Sequence, residues 1–224
     1  MTEPHLTRRQ REDPLVIAWL RSQEWLEANA RVLAIVAGAL VLVAVVAVLW
    51  SRARTQAADK ASARVTEMSA LYWRGDYASV LTQADGIRKE FPGTPGAADA
   101  ARMKGDALYW QGDFKKAAEN YEIFLKEVKT PSPVRTGVRR NLAQAYEGDK
   151  QPKVAAGLYE ELAKEPGPRL LCADLWLAAG RSWQAAGDNP RAIAAYRTVS
   201  REFTDTPFAV NAEVALGEMN QTDL

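Results

Sequence analysis

Trp73-Arg74-Gly75-Asp76-Tyr77 recurs 37 residues later as Trp110-Gln111-Gly112-Asp113-Phe114. Ala185-Ala186-Gly187-Asp188-Asn189 repeats the Gly-Asp step two periods further on, and between them Tyr146-Glu147-Gly148-Asp149 holds the slot with a small shift. These landmarks place repeat starts near 61, 98, 136 and 173, at spacings of 37, 38 and 37. A fixed period of this size marks a solenoid. Gly-Asp reads as a tight turn between two helices. Ala117, Ala155 and Ala192 share one repeat position, where helices must approach closely, and Tyr121, Tyr159 and Tyr196 follow four residues later on the same helical face. The helix before each turn carries its own small residue, Gly105, Ala143 or Gly180. Phe91-Pro92, Pro131, Pro166 and Pro207 close the units, since proline ends a helix. Each unit is then a helical hairpin that buries its apolar face only against its neighbours. The fold class is all-α, with about four hairpins and a C-terminal capping helix over Val210 to Met219.

Upstream lies a different signal. Val32 to Ser51 carries no charge and sits between Arg31 and Arg52. A helix of that length spans roughly 30 Å, the hydrocarbon thickness of a bilayer. A cleaved signal peptide has an apolar core of only about 7–15 residues. Leu49-Trp50-Ser51-Arg52 is a poor cleavage site, and the single cysteine, Cys172, is too distant to accept a lipid anchor. The run reads as one uncleaved transmembrane helix with Trp50 as an interfacial anchor. Asp13-Pro14 opens an earlier helix in which Leu15, Val16, Trp19 and Leu20 recur at helical spacing; it is either an amphipathic interfacial segment or a lead into the span. The expected organisation is an N-terminal segment 1–30, a span 31–51, a helical connector 52–60 and a repeat domain 61–224. Arg8, Arg9, Arg11, Arg21 and Arg31 before the span face Arg52, Arg54, Lys60 and Arg64 after it, which barely biases topology.

With 29 basic and 28 acidic residues the chain lacks the basic face that nucleic acid requires. The sole histidine, His5, has no partner ligands, so no metal site is expected. No nucleophile elbow or phosphate loop is present, and no catalytic residue or cofactor is assigned. Glu160-Glu161, and Glu119 with Glu122, read as solvated surface carboxylates, and Cys172 as a small apolar filler near a helix start.

A partner site is sought on the first helices, which line the concave face of stacked hairpins. Residues three or four apart share one stripe. The candidates are Tyr72, Trp73, Arg102, Asp106, Tyr109, Trp110, Arg140, Gln144, Asp174 and Arg181, beside Ser62, Val65, Ser69 and Asp99. Aromatic anchors beside arginines suit peptide recognition. The competing expectation is that Tyr72, Trp73, Tyr109 and Trp110 pack between repeats. Arg102, Arg140 and Arg181 either grip a carboxylate or stay solvated, with Asp99 and Asp106 offsetting their field.

The repeat residues resemble the tetratricopeptide repeat. The likeness is best in the fourth unit (Trp176, Gly180, Trp183, Gly187, Ala192, Tyr196) and clear in the second (Gly105, Gly112, Phe114, Ala117, Tyr121). The third has Leu142, Ala143, Tyr146, Ala155 and Tyr159 but lacks the turn glycine at Lys150; the first departs at Arg64, Glu67 and Met68. Trp25-Leu26-Glu27-Ala28-Asn29 before the span is similar to the pre-membrane segment of the bacterial ancillary SecYEG translocon subunit family. That resemblance implies a bacterial inner-membrane protein with a cytoplasmic N-terminus and a periplasmic repeat domain. Its partners would be translocon subunits, exported clients or periplasmic chaperones. The loops Phe91-Pro92-Gly93-Thr94-Pro95 and Phe203-Thr204-Asp205-Thr206-Pro207 look instead like repeats of outer-membrane assembly lipoproteins and of a periplasmic cell-envelope coordinator, and the alternative expectation is a structural assembly factor of the envelope that oligomerises through its array.

Overall fold

The computed structural model describes residues 14–222, with side chains to Met219. His5 and the arginines at 8, 9 and 11 lie outside the described residues. Among those described there are nine helices: α1 Pro14–Trp73, α2 Tyr77–Glu90, α3 Pro95–Trp110, α4 Phe114–Glu127, α5 Pro133–Gly148, α6 Pro152–Lys164, α7 Arg169–Ala185, α8 Asn189–Glu202 and α9 Pro207–Thr222. The chain divides into two units, Met1–Thr55 and Gln56–Leu224. Helix α1 runs without a break through the boundaries expected near 30, 51 and 60.

In the first unit α1 is long and apolar enough to cross a membrane, and none of its apolar window is buried. Its polar side chains bond back to the helix. Asn29 Nδ2 donates to the Trp25 carbonyl at 2.8 Å, and Thr55 Oγ1 donates to that of Ser51 at 3.0 Å. The Arg54 guanidinium lies 5.4 Å from the centroid of the Trp50 ring.

In the second unit each hairpin is set by the same turn. The N–H groups of Gly75 and Asp76 bond the carbonyls of Tyr72 and Leu71. Gly112 and Asp113 repeat this on Tyr109 and Leu108, and Gly187 and Asp188 on Gln184 and Trp183. This pair of bonds closes a helix through one left-handed residue. Asp76, Asp113 and Asp188 then cap the next helix, accepting from the N–H of Ser79, Lys116 and Arg191. In the third hairpin the left-handed residue is Lys150, at φ 59°, not Gly148. Gly148 stays helical and lies against the Phe114 ring; a Cβ there would sit 2.5 Å from Phe114 Cγ. Pro207 does not close a unit. It opens α9, as Pro95 and Pro133 open α3 and α5, where proline's missing N–H leaves no bond unmade.

The core forms three successive buried clusters, around Met68, Ile87 and Met103, then Tyr121, Phe124 and Leu142, then Leu162, Trp183 and Tyr196. Ala117, Ala155 and Ala192 are wholly buried. Tyr121 and Tyr196 lie against the glycines of the preceding helices, so a Cβ on Gly105 would be 2.7 Å from Tyr121 Cε1 and one on Gly180 2.4 Å from Tyr196 Cε1. Met68, at a position that departs from the repeat pattern, is fully buried in the first cluster. Helix α9 covers the last hairpin with Ala212, Ala215, Leu216 and Met219, spaced for one helical face.

Candidate functional site

Residues 56–73 of α1, together with α3, α5 and α7, are the first helices of the four hairpins, and polar bonds lace each to the next. Trp110 Nε1 donates to Tyr72 Oη at 2.8 Å, and Asn141 Nδ2 to Asp106 at 3.3 Å. Arg140 donates to Asp174 at 2.6 Å, and Ser182 Oγ to Glu147 at 2.5 Å. All four bonds fall between residues about one repeat apart, which is why this face has a fixed register.

The aromatic candidates divide. Tyr72 and Tyr109 are half-buried at the seams, Tyr72 against Tyr77 and Tyr109 edge-on to Phe114. The rings of Trp73 and Trp110 are 83% and 64% exposed, each edge-on to the tyrosine before it, and Trp110 also reaches Tyr72 of the preceding hairpin through its indole N–H. The two exposed indoles lie one repeat apart in the sequence, each against a tyrosine ring.

The charged candidates are mostly committed within the chain. Arg102 holds Asp106 at 3.1 Å and Asp99 at 3.4 Å, and Arg140 holds Asp174. Each arginine thus has an acidic partner within the chain. Arg181 is exposed on α7 and makes no ion pair among the described residues; Gln144 is half-buried on α5. Burial pushes the Asp106 carboxyl above the ordinary carboxylate range, opposed by the Tyr121 hydrogen bond and by Arg102.

Several polar residues of this face were not singled out from sequence. Tyr121 Oη donates to Asp106 at 2.8 Å, and Tyr159 Oη to Glu147 at 3.0 Å. Glu147 thereby ties α5 to both α6 and α7. Burial first, then the neighbouring carboxylate, drives both phenols upward, so they remain donors throughout the physiological range. Two carboxylates read as solvated are bonded as well. Glu122 accepts from Tyr146, whose hydroxyl is pushed up to about 12, chiefly by burial, and Glu160 accepts from Trp183 Nε1 at 3.3 Å. The tyrosines were visible as apolar markers, but their acceptors lie 12 or 15 residues away, a spacing that depends on how the helices cross.

Residues 23–144 match the family described as tetratricopeptide repeat-like domain. The match takes in the apolar run and both of the first two hairpins. Among solved structures, the nearly identical TPR-like repeats of a Podosopora anserina protein assigned as a kinesin light chain align with a TM-score of 0.56 at 16% identity, covering 74% of this chain and 88% of that one. A singly substituted form of the same repeats gives 0.56 at 14% identity, covering 74% and 87%. MamA aligns with a TM-score of 0.48 at 13% identity, over 70% of this chain and 97% of its own. No curated protein sequence matches. At these identities the two alignments with a TM-score of 0.56 establish a shared fold and nothing further.

Proposed function

The chain belongs to the tetratricopeptide repeat-like family, and from that premise we propose that it is a membrane-anchored scaffold that assists protein export at the translocon, with its repeats on the periplasmic side. The repeats make it a protein-interaction scaffold. The membrane, the translocon and the side of the membrane are the steps proposed here. The observation that carries the reading is α1: one helix holds both the uncovered apolar run and, from residue 56, the first wall of the repeat array. An apolar surface of that length left open to water calls for a cover, and a bilayer fits its dimensions. The segment Trp25-Leu26-Glu27-Ala28-Asn29 supports the translocon, and the exposed Trp73 and Trp110 with Arg181 supply a face for a polypeptide partner. The reading gives the protein no reaction to catalyse.

Photo-crosslinking in intact cells tests it, with a probe at Tyr109 and a control at Lys116 on α4. Adducts with translocon subunits or nascent exported chains at Tyr109 alone are expected. A second reading, self-association within an envelope assembly, draws on Val210 and Val214, which are 62% and 55% exposed one turn apart on α9. Only self-adducts, or envelope-assembly proteins without translocon, would replace the export reading with that one.

A further inference from the structure

The second helices of the four hairpins end at equivalent residues: Phe91, Val128, Glu165 and Phe203. Three of them pack inward. Phe91 and Phe203 are only 7% and 8% exposed, and Val128 lies against the second core cluster. At each phenylalanine a buried threonine completes the plug, Thr94 Oγ1 donating to the Phe91 carbonyl at 2.8 Å and Thr206 Oγ1 to that of Phe203 at 2.7 Å. The third junction has neither part. Glu165 is exposed and paired with Arg139, and Pro168 stands at the cap of α7 with no side-chain bond to give. A cavity of about 430 Å³ opens there, lined by Leu162, Leu171, Cys172 and Leu175 together with Arg140 and Glu165.

We propose that this cavity receives an uncharged aromatic side chain of a partner polypeptide, inserted where Phe91 and Phe203 close the equivalent junctions. Two of the three closed junctions are filled by an aromatic ring and one by the aliphatic Val128, so an apolar side chain fits such a junction and the ring is the commoner occupant. The charges decide against an ionic occupant. Arg140 is neutralised by Asp174 at 2.6 Å and Glu165 by Arg139, so a carboxylate or ammonium entering among the leucines would be desolvated without a partner. The volume lies within the range of ordinary ligand pockets, roughly 300–1,000 Å³. The inference rests on the scaffold reading and names what the partner presents.

Cys172 lines the cavity and is the chain's one cysteine. It allows the pocket to be tested on the full chain in detergent without knowing the partner. Bis(2-phenylethyl) disulfide, bis(2-hydroxyethyl) disulfide and dioctyl disulfide are equilibrated with the protein at fixed 2-mercaptoethanol, and capture is read by intact mass. Phenylethyl capture should exceed hydroxyethyl capture by about tenfold, the effect of burying one ring. Glu165→Ala, which removes the ion pair without filling space, should keep that preference. Glu165→Phe, or the smaller Glu165→Leu, should abolish it and raise the melting temperature by about 3–6 °C. Equal capture of phenylethyl and hydroxyethyl by the unaltered chain, or a preference that survives a folded Glu165→Phe, overturns the proposal. Stronger capture of the octyl group overturns the aromatic assignment in favour of an acyl chain. Crosslinking at Tyr109 is independent of all these outcomes, so failure of the scaffold reading and failure of the pocket are separable.

Discussion

Lys150 occupies a position that the other three hairpins give to glycine, and replacing it should stabilise the array. Its φ is 59°, against 77°, 81° and 75° at Gly75, Gly112 and Gly187. A side chain in this left-handed region costs about 1–2 kcal/mol through Cβ and carbonyl crowding. Glycine removes that strain but loses about 0.5–1 kcal/mol in unfolded-chain entropy. Lys150→Gly is therefore worth about 1 kcal/mol net. The adjacent residue compounds the defect. Gln151 makes no side-chain cap bond, where Asp76, Asp113 and Asp188 each accept from a backbone N–H. Asparagine suits this site better than aspartate, because Asp149, which now accepts from Gln151 Nε2 at 2.6 Å, would repel a second carboxylate. A restored cap contributes about 1 kcal/mol. The double variant Lys150→Gly/Gln151→Asn should then raise the melting temperature by about 4–8 °C for a unit of this size. Tryptophan fluorescence on the full chain in detergent reads the melt, and hydrogen exchange in α5 and α6 localises the gain. The reasoning fails if Lys150→Gly lowers the melting temperature, or if Gly112→Ala, the reverse experiment, does so no more than a surface substitution would.

Gly180→Ala and Gly105→Ala should each destabilise by about 1–3 kcal/mol by driving a methyl group into Tyr196 or Tyr121, whereas Gly157→Ala, with open space around it, should be neutral or slightly stabilising; denaturant midpoints compare them directly. Arg88 binds the Glu127 carboxylate at 2.9 and 3.2 Å and the Ala97 carbonyl at 2.9 Å, so Arg88→Ala should lower stability by about 1–2 kcal/mol and speed exchange at the α2–α3 loop; unchanged exchange there would refute it. Carbon-detected titration should place Asp106 above the ordinary value of 3.8 and Asp113 below it, the first raised by burial and the second lowered by its bond with Lys116. The signs oppose: the Asp106 contribution is complete below 3.8 and lost as pH rises through its folded value, while that of Asp113 is present above 3.8 and lost as pH falls through its folded value. Relative to the wild type, Asp106→Asn should therefore gain stability as pH rises through that midpoint, and a flat difference would refute the assignment. Trp73→Ala should change stability by less than about 0.5 kcal/mol, as the ring is exposed, yet abolish the crosslinks at Tyr109; retained crosslinks would remove Trp73 from the partner face.

By itself the sequence determined whatever depends on neighbours along the chain. The Gly-Asp turns, the 37-residue period, the alanine and tyrosine positions and the uncharged run are all local patterns, because helix periodicity and turn chemistry act over a few residues. Even the third turn was legible as a departure at Lys150, with the glycine displaced two residues earlier to Gly148, where the Phe114 ring lies against it. The partner face was only half legible. The stripe of first-helix residues followed from spacing, but spacing could not say that the rings of Trp73 and Trp110 are exposed while Tyr72 and Tyr109 are half-buried. Nor could it say that Arg102 and Arg140 are held by Asp106 and Asp174. The tertiary structure decided these matters, along with the opening left beside Glu165. Each depends on distances between helices, and those are set by how the side chains of successive hairpins pack, which no single stretch of chain encodes.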